Sequence, residues 1–195
     1  RAVEPKTSPE EGYHLMTDMT DRAINYIQYS KAVAPQKPFF MYFAPGATHA
    51  PHHVPKEWSD KYEGKFDGGW DKLREETLAR QKQLGVVPAD ATLTTRHQEI
   101  PAWDDMPAQL KPVPARQMEI YAGFVEHVDV QAGKLIDEMD RLGIRDNTIV
   151  IYIFGDNGAS AEGQNGTISE LLAQNGIPNT AEEQLAALDK LGGLD

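Results

Sequence analysis

Residues 114–158 read PARQMEIYAGFVEHVDVQAGKLIDEMDRLGIRDNTIVIYIFGDNG, and this stretch decides the predicted fold. Its first part, to about Leu142, predicts one long amphipathic helix, because apolar side chains recur at spacings of three and four. Gly143 suits a left-handed cap at the end of that helix. The run 148–154 is apolar and β-branched, which favours a strand buried on both faces. The apolar stripe of the helix comprises Met118, Tyr121, Val125, Val128, Ala132, Leu135, Met139 and Leu142.

A second helix and strand precede this stretch. The segment from about Thr17 to Val33 has helical spacing, and Pro35 prevents its continuation. The apolar, aromatic run 39–44 then predicts another buried strand. We expect a further helix from about Trp70 to Leu84. Helices alternating with buried strands predict an α/β fold with a mainly parallel central sheet.

The chain organisation suggests that this domain is incomplete. Two convincing strands are too few for a doubly wound sheet, which normally has about five or more. We therefore expect residues 1–195 to be part of a larger domain. Within it, residues from about 55 to 113 form a proline-rich excursion, and residues from about 164 to 195 form an acidic helical tail.

Composition excludes several function classes. The 195 residues include no cysteine, which excludes disulfides, thiolate zinc sites, iron–sulfur clusters and a cysteine nucleophile. A formal net charge of −11 argues against nucleic acid or an anionic membrane as the main partner. No apolar run is long enough to span a membrane, and the amino terminus lacks the apolar core of a secretory signal. The compartment stays open, cytoplasmic or periplasmic in a bacterium.

Asp156 and Asn157 follow the strand predicted at 148–154. Ligands of open α/β sheets bind beyond the carboxyl ends of the strands, where these two side chains are expected. A carboxylate beside an amide oxygen suits a hard cation such as calcium or magnesium. Asp-Asn-Gly is also a common turn sequence, so the residues alone leave both interpretations open.

His49 follows the other predicted strand, so the same rule places it at the same edge of the sheet. A histidine there can donate to an anionic substrate or protonate a leaving group. Alternatively, His49, His52 and His53 are zinc ligands, or they are ordinary loop histidines. Glu126 and His127 are assigned to the solvated side of the long helix.

Five motifs follow one another along the chain: Tyr13-His14 with Thr17-Asp18, Lys37-Pro38-Phe39-Phe40, Thr48-His49-Ala50-Pro51, Asp146-Asn147-Thr148 and Gly155-Asp156-Asn157-Gly158, the last extending to Gly163. With these motifs in this order, the chain resembles the type I sulfatases, specifically the bacterial arylsulfatases of the alkaline phosphatase superfamily. The resemblance covers most of the chain.

This resemblance implies a partial alkaline-phosphatase-like α/β/α sandwich that hydrolyses small-molecule sulfate esters. It implies that Asp156 and Asn157 are Ca²⁺ ligands and that His49 contacts the sulfate ester or assists the leaving oxygen. In that family the nucleophile is a hydrated formylglycine, made from the cysteine or serine of Cys/Ser-x-Pro-x-Arg. Calcium polarises the sulfate.

The chain departs from the family at the nucleophile. It has no cysteine, and none of its five serines is followed two positions later by proline. The nearest string, Pro112-Val113-Pro114-Ala115-Arg116, has proline at the position of the nucleophile. We therefore expect an internal fragment of a sulfatase catalytic domain that is inactive alone. Alternatives are a degenerate sulfatase-fold binding module and a related phosphoesterase.

Overall fold

The computed structural model describes residues 4–155, 172 and 174–191. Over these residues the fold is helical, and one long helix organises it. The α-helices are α1 (Leu15–Val33), α2 (Lys56–Asp60), α3 (Gly69–Gln83), α4 (Pro112–Arg141) and α5 (Ala181–Ala186). Short 3₁₀ helices lie at Pro9–Glu11, Trp103–Asp105, Arg145–Asn147 and Leu188–Lys190. Helices α1, α2 and α5 all pack against α4.

Local sequence signals account for the bounds of α4. Pro112 occupies its first turn, where a missing backbone N–H costs nothing. At the other end Gly143 takes a left-handed φ of 67°, and the Ile144 amide donates to the Met139 carbonyl at 3.0 Å. These are the features of a Schellman cap. The predicted helices at about 17–33, 70–84 and 114–142 are confirmed to within two residues at each end.

The predicted α/β fold, an alkaline-phosphatase-like α/β/α sandwich with a mainly parallel central sheet, is wrong for this structure. None of the described residues lies in a β-strand. The runs 39–44 and 148–154 have strand composition, but a strand also needs hydrogen bonds to a neighbouring strand. Neither run has such a neighbour within the described part of the chain. The first part of the predicted acidic helical tail, residues 164–171 and 173, lies outside the described residues.

The two apolar runs lie largely in solvent. Phe40 and Tyr42 are 87% and 82% exposed, while Phe39, Met41 and Phe43 are half-buried. In the second run the most exposed side chains are Ile149, Ile151 and Ile153, each more than three-quarters exposed. An exposed apolar surface of this kind is unusual for a soluble monomer. The side chains that composition assigned to buried strands are therefore largely exposed, on irregular segments.

The centre of the core lies where α2 crosses α4. Val54, Ile120 and Phe124 are buried there, with Trp58 packed against them. Gly123 makes this crossing possible, because a Cβ atom at that position would lie 2.7 Å from the backbone of residues 58 and 59. No helix among the described residues is long and apolar enough to cross a membrane.

We expect Gly123→Ala to destabilise the chain by about 3 kcal/mol, since the added methyl group meets backbone that cannot rotate away. Gly133→Ala is the matched control on the same helix, because no atom lies within 4 Å of its new Cβ. That change should raise stability by up to about 1 kcal/mol through helix propensity. Urea unfolding followed by circular dichroism measures both. Equal stability of the two variants would contradict the close crossing.

The exposed isoleucines predict binding of the apolar dye ANS at neutral pH. Changing Ile149, Ile151 and Ile153 together to threonine should lower the dye fluorescence. The matched control changes the same three residues to valine, which keeps the branched shape and most of the apolar area. If the threonine and valine variants bind equal amounts of dye, these residues do not form the apolar surface.

Candidate active site

The loop that carries His49 connects the first apolar run to α2. The His49 amide donates to the Gly46 carbonyl at 2.9 Å, which closes a turn at the start of the loop. The side chain is exposed, and its Nδ1 donates to the Ala50 carbonyl at 2.6 Å. A proton on Nδ1 leaves Nε2 to carry the lone pair of the neutral ring. Protonated, the same ring presents an Nε2–H donor, the form that a substrate anion or leaving oxygen needs.

Helix α4 holds this loop at two adjacent points. Thr48 Oγ1 donates to the Tyr121 hydroxyl at 3.3 Å. The His52 ring packs edge-on against the Tyr121 ring, with centroids 5.4 Å apart, and also contacts Phe124. Burial lowers the pKa of His52 below its ordinary value, although a backbone hydrogen bond to Thr48 opposes the shift. His52 is therefore a neutral packing residue at pH 7.

His53 contacts a different neighbour, through its backbone carbonyl. Its carbonyl accepts a hydrogen bond from His14 Nε2 at 2.9 Å, which ties the loop to the start of α1. Burial, and then the nearby charge of His14, lower the pKa of His53. The three loop histidines thus have three separate environments. The described residues contain no group of three or more histidines and carboxylates arranged to hold a metal ion, so the zinc interpretation gains no support.

The two predicted calcium ligands, Asp156 and Asn157, lie outside the described residues. Their proximity to His49 therefore stays a prediction. Calcium takes about six to eight oxygen ligands. Two side chains supply a minority of them, and the described residues add no cluster of carboxylates. The donor types of these two residues fit calcium, and the remainder of the ligand set stays a prediction.

Arg116 belongs to the string that most nearly matches the family's nucleophile motif, and it has a structural role. Its guanidinium donates to Glu119 at 2.9 Å, to Asp60 at 2.7 Å and to the Ser59 hydroxyl at 3.2 Å. Burial opposes the charge of Arg116, yet its pKa is raised because both carboxylates stabilise the cation. Arg116 therefore fastens α2 to the first turns of α4.

The assignment of His127 to a solvated helix face is wrong. His127 is only 2% exposed, and its ring meets His14, which directly precedes α1, and Trp58 of α2. Glu126, its neighbour, is partly exposed and pairs with Lys61 at 3.0 Å. The available signal was spacing, because His127 lies seven residues after Ile120 and three after Phe124, so the three share one helix face.

The comparisons with known proteins agree with one another. The model of the sulfatase family matches residues 2–186. An uncharacterized sulfatase from Schizosaccharomyces pombe is 38% identical over 122 residues, which cover 62% of this chain and 22% of that protein. An arylsulfatase from Klebsiella aerogenes is 29% identical over 131 residues, 67% of this chain and 28% of that protein.

The chain thus spans less than a third of the length of either of these two relatives. The family match, in contrast, covers nearly all of the chain, including the His49 loop and the positions of Asp156 and Asn157. On that match, the chain belongs to the sulfatase family.

Proposed function

We propose that the protein to which this chain belongs hydrolyses sulfate esters, as an arylsulfatase-type hydrolase. The observation that carries the proposal is the sulfatase family match over residues 2–186. The arylsulfatase from Klebsiella aerogenes, 29% identical, supports an aryl sulfate as substrate. The residues of this chain that we assign to the reaction are His49, Asp156 and Asn157.

His49 is the residue of this chain that would donate a hydrogen bond to the substrate anion or a proton to the leaving oxygen. Its Nδ1–H is held by the Ala50 carbonyl, so the ring presents Nε2 on the opposite side. In the cationic form, Nε2–H donates to a sulfate oxygen or gives a proton to the departing ester oxygen. Anchoring of the loop at Thr48 and His52 limits the positions that His49 can sample, which favours a defined contact.

Asp156 and Asn157 would bind calcium, together with ligands from outside this chain. When bound, calcium supplies positive charge that stabilises the sulfate in the transition state. Asp156 contributes an anionic ligand, and the Asn157 amide contributes a neutral one. Both are oxygen donors of the kind that calcium selects, whereas the chain provides no thiolate.

The isolated 195-residue chain should be inactive, because it has no cysteine and no serine in a Ser-x-Pro-x-Arg motif. Incubation with 4-nitrophenyl sulfate and calcium should release nitrophenol no faster than the buffer does. The Asp156→Ala variant is the matched blank. Turnover by the chain that the variant loses would show that the chain contains its own nucleophile.

In the complete protein, His49→Asn should lower kcat/KM by about a hundred- to ten-thousandfold. Asparagine places an amide donor near the position of Nδ1, so the bond to Ala50 can be kept while Nε2 is removed. His97→Asn, on an exposed stretch remote from the loop, is the control and should leave activity unchanged. Full activity of His49→Asn would remove His49 from the reaction.

The chain also permits a second candidate, a sulfatase-fold binding module without catalysis, because its own residues contain no Cys/Ser-x-Pro-x-Arg motif. The complete reading frame separates the two, because only the hydrolase needs Cys/Ser-x-Pro-x-Arg. A complete protein that lacks this motif, binds an aryl sulfate and does not hydrolyse it would establish the binding module. Faster hydrolysis of 4-nitrophenyl phosphate than of the sulfate would instead indicate a phosphoesterase.

A further inference from the structure

The contact between His14 and His127 joins three parts of the fold. His14 directly precedes α1, and its ring lies edge-on to the His127 ring of α4, with centroids 4.5 Å apart. The Trp58 ring of α2 also packs edge-on with the His127 ring, with centroids 5.1 Å apart. We propose that this contact is a proton-sensitive latch, which holds the start of α1 and the 52–54 segment on α4 at neutral pH and releases them in acid.

The protonation state of His127 follows from its neighbours. Lys134 donates to Gln131 Oε1 at 3.1 Å, and this fixes the orientation of the Gln131 amide. The amide nitrogen of Gln131 then faces His127 Nε2 at 3.3 Å and donates to it. His127 Nε2 must therefore carry a lone pair, and the single ring proton resides on Nδ1. A second ring proton would have to bind at Nε2, where it would face the N–H group of the Gln131 amide and repel it.

The remaining nitrogen atoms of the two rings have no hydrogen-bond partner. His14 Nε2 donates to the His53 carbonyl, so its Nδ1 carries a lone pair in the neutral ring. Both His14 Nδ1 and His127 Nδ1 are buried without a partner. Nothing at His127 Nδ1 therefore stabilises a cation, and burial of an unpaired charge is costly.

The charged groups around His127 also oppose a proton. On the α1 side it meets His14 and the neutral Thr17, whose hydroxyl lies 3.5 Å from Nε2. On α4, Lys134 repels a cation. On the α2 side the neighbour is Trp58, over which Lys61 sits while it pairs with Glu126. The segment before α2 carries His53, whose carbonyl accepts from His14 and whose pKa is lowered by burial and by His14.

Desolvation, and then His14 and Lys134, lower the pKa of His127 from 6.5 to about 4. The unfolded chain binds this proton below about pH 6.5, whereas the folded chain excludes it until about pH 4. The stability associated with His127 is thus complete above pH 6.5 and is lost as the pH falls to 4. By pH 4.5 this single site lowers the folding equilibrium constant on the order of fiftyfold.

Histidine NMR on the whole chain tests the protonation. The Cε1–H signal of His127 should titrate with a midpoint near 4. In Lys134→Met the Gln131 amide is free to turn and a positive charge is removed, so the His127 midpoint should rise. A His127 midpoint near the ordinary value of 6.5 would overturn the latch, and so would a midpoint that Lys134→Met leaves unchanged.

Release is tested at Trp58. Its indole N–H signal should shift in acid with the His127 midpoint, whereas the signals of Trp70 and Trp103, which pack on each other at 4.8 Å, should not follow that titration. His127→Gln keeps an acceptor for Gln131 and should abolish the shift at Trp58. The control His97→Gln should titrate like the wild-type chain. A Trp58 signal that does not change with the His127 titration in the wild-type chain would overturn the proposal. This measurement stands even if His127→Gln fails to fold.

Discussion

One buried face of α4 supports the rest of the described structure. Helices α1, α2 and α5 dock on this thirty-residue helix. The closest approach is at Gly123, where the backbone of α2 occupies the space that a side chain would need. Because α1, α2 and α5 all depend on this surface, a change in α4 disturbs several contacts together, whereas α3 packs on the 3₁₀ helix at Trp103–Asp105 and a change there disturbs few.

Polar side chains on that face determine where each partner docks. Glu119, 5% exposed, accepts a hydrogen bond from the Gly64 amide at 2.8 Å and pairs with Arg116. Glu138 accepts from Gln28 of α1 at 3.0 Å, and its pairing with Arg141 lowers its pKa. A buried carboxylate without its partner is costly, so a shifted register of α1 or of the chain after α2 is disfavoured.

The helices were predictable from the sequence because their signals are local. Proline, glycine and the three-to-four spacing located α4 almost to its ends. The orientation of its buried face was predicted less well, since Tyr121 and Val125 are only half-buried, while Gln131 is buried. Hydrophobicity alone could not identify that polar position, because its burial depends on partners from distant parts of the chain.

The two predicted strands are absent from the described residues, because a strand requires a second segment to complete its hydrogen bonds. Composition at 148–154 reports which side chains favour a sheet, but it contains no information about whether a neighbouring strand is present. The candidate site shows the same contrast between features that local sequence determines and features that depend on distant contacts. The position of His49 on a loop after an apolar run was evident from sequence, whereas its support by Tyr121 depends on a contact across 73 residues.

The His49 loop is restrained on both sides of the candidate residue. Before it, Thr48 bonds to Tyr121; after it, His53 accepts from His14, and Val54 is fully buried. These contacts leave only a few residues around His49 exposed and able to adjust. The second restraint involves the His14 ring, which also packs on His127. Protonation of His127 in acid therefore weakens a contact that also restrains the short loop carrying His49. The order of this loop and the protonation state of the α1–α4 junction are physically linked.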